Sequence, residues 1–354
     1  MVDHSADFSG IKPVSSIFAF DELRLHDWML KYIEGYEGPL KVLQFKGGQS
    51  NPTYKIKTKK RDYVLRRKPP GALLPSAHAV EREYRVMTAL YQTGFPVPEM
   101  YGLCEDVSIL GTAFYVMSFV EGRIFWDPAI PSVTVSERHT LYDSANETLA
   151  KLHNIDYVSC GLGDFGKVGN YFHRQISRWS NQYIASQTDP INEMERLIEW
   201  LPASAPVQGQ TSIVHGDYRL DNLVFDNYKA KVVAVLDWEL STLGDPLADF
   251  TYQLMQWKMP ASMQNGIDGI DLSSLGIPSL EGYVEAYCLR TNRREFPDLN
   301  FYLAYNAFRL AAILQGVFAR AIKGNASNSK SLEMGGLVHP MARLAWKFAL
   351  LAGA

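Results

Sequence analysis

The stretch His215-Gly216-Asp217-Tyr218-Arg219-Leu220-Asp221-Asn222, followed by the apolar run Val232-Val233-Ala234-Val235-Leu236-Asp237, decides how this chain is read. Short apolar segments at Ser212–His215 and Leu223–Phe225 flank the first string, so its polar residues sit on a tight loop between two strands. The second string is a strand that delivers an acid at its end. A lone His-x-Asp is commonly a turn with an Asp side-chain cap. An amide at Asn222 and an acid at Asp237, in this order, point instead to chemistry on charged oxygens. Phosphoryl transfer needs an acceptor hydroxyl held in line, a base for its proton, and metal ions that neutralise phosphate charge. In that frame Asp217 is the candidate base, Asn222 a neutral oxygen ligand and Asp237 an anionic one. Hard Mg²⁺ takes only one or two protein carboxylates while a nucleotide supplies the other oxygens. Arg219, inside the same loop, is a candidate catalytic cation that pairs with Asp217 or neutralises the migrating group. His215 reads as a buttress of the loop, and Asp249 as its support from the next helix.

The pattern His-x-Asp-x-x-x-x-Asn from His215 to Asn222 resembles the catalytic loop of the protein kinases, and Asp237 resembles the Asp of their Asp-Phe-Gly motif. The variants His215-Gly216-Asp217 and Asp237-Trp238-Glu239 resemble the aminoglycoside phosphotransferase and choline kinase branch. The longer strings His215–Phe225 and Leu236–Thr242 are more similar still to the phosphotransferase-like module that some animals fuse to an acyl-CoA dehydrogenase, and to its free-standing bacterial relatives. The likeness runs from about Phe45 to Phe250. It implies a bilobal protein-kinase-like fold, ATP and Mg²⁺ as cofactors, and a small hydroxylated acceptor. For this branch it implies a hydroxyacyl-CoA or hydroxy acid rather than an antibiotic.

Residue patterning on either side agrees with such a fold. Strand-like runs at Lys41–Lys46, Thr53–Thr58, Tyr63–Arg67, Met100–Cys104 and Thr112–Phe119 surround a helix at Ala77–Gln92 with Ser76 as its N-cap. A further helix runs from Asp21 to about Tyr36. Beyond Glu121-Gly122 long helical patterns take over: Glu137–Ile155, Tyr171–Ser186, Ile191–Trp200, Pro246–Lys258, Leu280–Thr291 and two more. The predicted class is α+β: a five-stranded antiparallel sheet with one main helix over residues 1–119, then a mostly helical lobe over 120–354 interrupted by one β island.

The first lobe should hold the nucleotide. Gly47, Gly48, Ser50 and Asn51 lie between two strands, where glycine lets backbone N–H groups approach phosphate oxygens. Tyr63-Val64-Leu65-Arg66 occupies the place of the kinase Val-Ala-Ile-Lys strand. Alternation puts Val64 and Arg66 on one face, with Lys68 sharing it as a competing phosphate contact. On the helix, Val80, Glu83, Tyr84, Met87 and Tyr91 form one stripe, so Glu83 faces inward and needs a cation, for which Arg66 is the candidate. The resemblance further implies that Met117, Ser118 and Val120, at the join between lobes, meet the adenine.

Few residues separate Asp237 from Asp245-Pro246, where a helix begins with Asp245 as N-cap and Pro246 at N1. That interval is too short for a platform that binds an extended peptide, so the acceptor is small. Lys167, Asn170, Tyr171, Arg174, Arg178 and Trp179 make a basic and aromatic set suited to an anionic acceptor, or else Arg174 and Arg178 form an exposed helix face. The alternatives carried are an aminoglycoside phosphotransferase and a catalytically inert nucleotide-binding module.

The 354 residues carry a net charge of −3, which gives no sign of a nucleic-acid partner. The N-terminus MVDHSADFSG lacks the character of a secretory leader. Leu303–Ile322 is broken by Asn306, Arg309, Gln315 and Arg320 and reads as a packed helix, so no membrane association is expected. Cys104, Cys160 and Cys288 read as buried thiols, which with the rest points to a cytoplasmic protein of open oligomeric state.

Overall fold

Strands β1 (Ile11–Lys12), β2 (Lys41–Phe45), β3 (Thr53–Lys57), β4 (Tyr63–Arg67), β5 (Met100–Cys104) and β6 (Phe114–Ser118) form one antiparallel sheet in the order β1-β2-β3-β4-β6-β5. These come from a computed structural model that describes residues 10–46, 51–71, 78–263, 265–322 and 332–354. The sheet has six strands, not the five expected. The extra one, β1, is two exposed residues pairing Ile11 with Phe45 and Lys12 with Gln44, too short to leave an alternation pattern.

Strand β4 is central and buried at all five positions. Its alternation sorts side chains between two layers, as predicted. Tyr63 and Leu65 pack under helix α1 (Glu22–Tyr32) with Leu25, Trp28 and Met29, while Val64 joins the layer of helix α2 (Val80–Gln92). The Asp21 carboxylate caps α1, accepting from the N–H groups of Leu23 and Arg24. Helix α2 starts at Val80, with Ala79 at the cap position and no side-chain cap. The expected cap, Ser76, lies outside the described residues. A short helix, α3 (Val107–Leu110), joins β5 to β6.

The second half contains α4 (Val135–Asn154), α5 (Tyr171–Ser186), α6 (Asn192–Ser204), α7 (Pro246–Leu254), α8 (Leu272–Leu275), α9 (Leu280–Arg290), α10 (Leu299–Ile322) and α11 (Gly335–Leu351). Between α6 and α7 lie two small sheets rather than one island: β7 (Ser212–Val214) pairs with β10 (Thr242–Gly244), and β8 (Leu223–Phe225) with β9 (Val232–Val235). The strand β10 escaped prediction because Thr242-Leu243-Gly244 holds one large apolar residue beside a glycine, which reads as a turn.

The larger hydrophobic core runs without a break from Val64, Val86 and Leu90 into Leu149, Leu223 and Phe308 of the helical half. Polar ties reinforce that join. The Arg82 guanidinium on α2 donates to the Phe165 carbonyl at 2.8 Å, and Arg85 bonds the Gly161 carbonyl and the Asp164 carboxylate. Helix α10 is packed as expected, and two of its buried polar side chains donate across to neighbouring segments. Asn306 Nδ2 donates to the Ala248 carbonyl at 2.9 Å and Gln315 Nε2 to the Ser186 carbonyl at 2.8 Å. Among the described residues no helix is long and apolar enough to cross a membrane. The three cysteines are unpaired. Cys104 and Cys288 are buried, whereas Cys160 is only half-buried, against the expectation for it.

Candidate active site

The loop from His215 to Asn222 is held from beneath by Asp249. Asp245 and Pro246 set the start of α7, with the Asp245 carboxylate accepting from Leu247 N at 2.8 Å, and this places Asp249 one turn on. One Asp249 oxygen accepts from His215 N at 2.6 Å and the other from Gly216 N at 2.8 Å, while His153 Nε2 lies 3.2 Å away. Burial pushes the Asp249 carboxyl up, but His153 and the Gly216 N–H outweigh it and hold the group below its ordinary value. Arg309 of α10 donates to the Gly216 carbonyl. His215 itself spans the loop to the next strand, its Nε2 lying 2.8 Å from the Leu236 carbonyl, which fits the buttress expected of it. Gly216 has φ +85, and a Cβ there would stand 2.8 Å from the Leu240 carbonyl oxygen, so no other residue fits this turn.

The Asp249 arrangement carries a pH prediction. A carboxyl with a depressed folded-state pKa contributes stability that is complete above its unfolded value, about 3.9, and is lost as pH falls through the folded value. The melting-temperature gap between wild type and Asp249→Asn should therefore be constant from neutral pH to about pH 5 and shrink below about pH 4. Thermal melts across that range test it, and a gap that widens in acid refutes it.

Above this support the candidate chemical groups converge. Asn222 Nδ2 donates to Asp217 Oδ2 at 3.1 Å and to the Asp217 carbonyl at 2.8 Å, which turns the amide oxygen of Asn222 away from Asp217. Arg219 Nε stands 3.5 Å from Asp217 Oδ1, and its other arm donates to Asp221 at 2.7 Å. Asp237 has φ +64, a left-handed geometry that costs a non-glycine residue about 1–2 kcal/mol. Strain of this kind persists where the surroundings fix it. Here Leu236 N donates to the Asn222 carbonyl at 2.9 Å and Arg66 holds the Asp237 carboxylate at 2.6 Å.

Arg66 is the junction between the halves. Its Nε lies 3.0 Å from Glu83 Oε2, and the arm that meets Asp237 is 3.6 Å from Glu239. Glu83 is 1% exposed and also accepts from Asn51 Nδ2 at 3.0 Å and from the Tyr115 hydroxyl at 3.1 Å. Burial raises its pKa, with the Arg66 charge opposing. The competing cation, Lys68, pairs with Glu81 at 2.9 Å instead. Arg66→Met leaves Glu83 buried beside no cation, and breaking such a pair costs about 3–5 kcal/mol. A large fall in melting temperature is the expected result, and an unchanged melt would contradict it.

Gly47, Gly48 and Ser50 lie outside the described residues. Asn51 is buried, its amide engaged by Glu83 and by His78 Nδ1 at 2.9 Å. Met117 sits in β6 opposite Val64 and Met100. Ser118 donates its N–H to the Glu99 carbonyl at 2.8 Å, and Val120 is half-buried just beyond the strand.

Arg66, Asp217, Arg219, Asn222 and Asp237 all line one cavity of about 440 Å³. Met117, Ser118 and Val120 are not on its wall, and neither is the basic and aromatic set proposed for the acceptor. Tyr171 and Trp179 are core residues, Arg174 folds back onto the carbonyls of Lys167 and Gly169, and Arg178 is exposed beside Trp179. The helix-face reading of the two arginines was the nearer one. The cavity shows what the sequence reading missed. Tyr252, buried on α7, lines it and hydrogen-bonds Asp217 through its hydroxyl, whose pKa burial raises. The guanidinium of Arg309 stacks over Tyr252 at 5.1 Å. A charged residue inside an apolar helix was the available signal for Arg309, while Tyr252 left none.

Comparison with known proteins matches residues 41–297 to the model of the phosphotransferase enzyme family. The chain belongs to that family. A mouse protein, acyl-CoA dehydrogenase family member 10, is 46% identical over 97% of this chain, which spans only 32% of that relative's length. A Ralstonia eutropha crystal structure provisionally described as an aminoglycoside phosphotransferase is 48% identical with a TM-score of 0.83, covering 94% of this chain and 98% of that one. A thermostable aminoglycoside phosphotransferase mutant, bound to ADP and hygromycin B, shares the fold at 14% identity and a TM-score of 0.59, over 91% of this chain and 97% of its own. The α+β kinase-like architecture of the family is thus the architecture of this member, with the sixth strand as a minor departure.

Proposed function

We propose that this phosphotransferase-family member moves the γ-phosphoryl group of ATP, with Mg²⁺, to an alcohol hydroxyl of a small metabolite, a hydroxyacyl-CoA or hydroxy acid. The observation that carries this reading is the convergence of Asp217, Asn222, Asp237 and Arg66 on one cavity. Asp217 takes the proton of the acceptor hydroxyl, positioned by Asn222 Nδ2, Arg219 and the Tyr252 hydroxyl. The donor set fits a hard cation: Asn222 Oδ1, left outward by the amide's bonds to Asp217, and the Asp237 carboxylate are both oxygen ligands. Mg²⁺ held by these two residues would neutralise charge on the phosphates. Arg66, oriented by Glu83, would meet the phosphates, with Gly47, Gly48, Ser50 and Asn51 assigned beside it, and Met117, Ser118 and Val120, which lie off the wall of the cavity around Asp217, would meet the adenine. Arg219 balances charge as the phosphoryl group moves.

The short path from Asp237 to Asp245, which forms β10 and the α7 cap, supports a small acceptor. Similarity to part of a protein named as an acyl-CoA dehydrogenase supports an acyl-type one. The free thiols of Cys104, Cys160 and Cys288 support a reducing, cytoplasmic setting. Radiolabelled ATP offered with hydroxyacyl-CoAs, hydroxy acids, amino alcohols and aminoglycosides should give saturable transfer on the first two classes. Saturable transfer to an aminoglycoside alone would overturn the acceptor assignment. A magnesium-dependent ATP thermal shift with no transfer to any acceptor would mark an inert nucleotide-binding module.

A further inference from the structure

The cavity that starts at Asp217 and Asp237 changes character along its length. Its charged groups come from the strings His215–Phe225 and Leu236–Thr242 and from Arg66. The wall contributed by α10 is Leu310, Ile313, Leu314 and Val317, one apolar stripe at i, i+3, i+4 and i+7. Met341 of α11 and Met259 extend it, thioether side chains that fill irregular space and adapt to varied apolar shapes. An apolar wall continuous with ionic groups is the shape of a site for a ligand with both characters. A polycationic acceptor finds no carboxylate on this stripe.

A second, separate observation points to the same ligand. Gln256, which follows α7 and lines the cavity, is 9% exposed, and its side-chain Nε2 is buried with no hydrogen-bond partner among the described residues. A buried amide donor left unpaired costs about 1–3 kcal/mol. Such a group is retained at low cost where a ligand oxygen completes it.

We propose that the α10 stripe seats an aliphatic chain of the acceptor, and that Gln256 Nε2 donates to an oxygen carried on that chain. The inference rests on the kinase reading above for the chain's attachment to the acceptor, but its binding test does not need catalysis. The acceptor class is thereby narrowed to hydroxylated aliphatic chains long enough to lie along a full two turns of α10.

Two arms test it. In the first, kcat/KM is measured for hydroxy acids or hydroxyacyl-CoAs of increasing chain length. Each added methylene should raise it about fourfold until the cavity is full, the factor that corresponds to burial of one CH₂. In the second, straight-chain fatty acids without a hydroxyl, which accept no phosphoryl group, are titrated calorimetrically into the ATP-free protein, with the same increment expected in affinity. Val317→Trp should shorten the preferred chain in both arms, and Leu314→Phe should do so more mildly if the first variant folds poorly. Gln256→Leu should weaken fatty-acid binding about threefold to tenfold without changing the increment per methylene. Transfer to hydroxy acids with no dependence on chain length would overturn the chain site and leave the kinase reading intact. Length-dependent fatty-acid binding with no transfer to any acceptor would do the reverse. Gln256→Leu that tightens binding would remove the proposed donor.

Discussion

Asp217→Asn should lower kcat by about 10²–10⁴-fold, the range for losing a positioned general base, while ATP affinity changes little. The substitution keeps size and shape, and the support beneath the loop does not touch this side chain, since Asp249 bonds the backbone of His215 and Gly216. Arg219 keeps its 2.7 Å partner Asp221. Arg66 and Asp237, proposed to serve the phosphates, pair with each other. Single-turnover transfer and equilibrium titration with a non-hydrolysable ATP analogue separate the two quantities. An equal loss in both would show that Asp217 organises the site instead of accepting the proton.

Asp237 is the second large lever, and its backbone makes the choice of substitution matter. Asp237→Asn removes the charge but keeps a side chain that tolerates the left-handed geometry at φ +64. Asp237→Ala removes the charge and adds the backbone penalty. Both should weaken Mg-ATP binding by about 10–100-fold or more, by analogy with the loss of a metal site's fixed partners. Only the alanine variant should also melt markedly lower. The assay is ATP titration at several Mg²⁺ concentrations beside thermal melts. A Mg²⁺ response of nucleotide affinity that survives unchanged in Asp237→Asn would remove Asp237 from the proposed metal site.

Much of this arrangement was legible in the linear chain because its signals are local. The string from His215 to Asn222 places a carboxylate, a cation and an amide on one loop, and a strand-end acid follows. Two-residue alternation put Arg66 on the α2 side of β4, and helical periodicity put Glu83 toward it. Their 3.0 Å contact joins two local predictions. The cavity wall opposite the charged groups was not legible because it is assembled from distant segments. Leu310 and Val317 on α10 and Met341 on α11 read as ordinary core stripes, and nothing in them marks the cavity they border. Arg174 and Arg178 read as binding groups from their type, yet one is spent on the backbone of its own entry turn and the other on solvent. Charge type identifies a candidate, and only the path of the backbone says which way it faces.

Helix α2 has a bearing on control. It is sunk into the continuous apolar core at Val80, Val86, Met87 and Leu90, and riveted across to the other half through Arg82 and Arg85. A regulator that swung this helix aside would have to open that seam and expose its apolar side chains to water. The same packing that anchors the helix thereby keeps Glu83 beside Arg66.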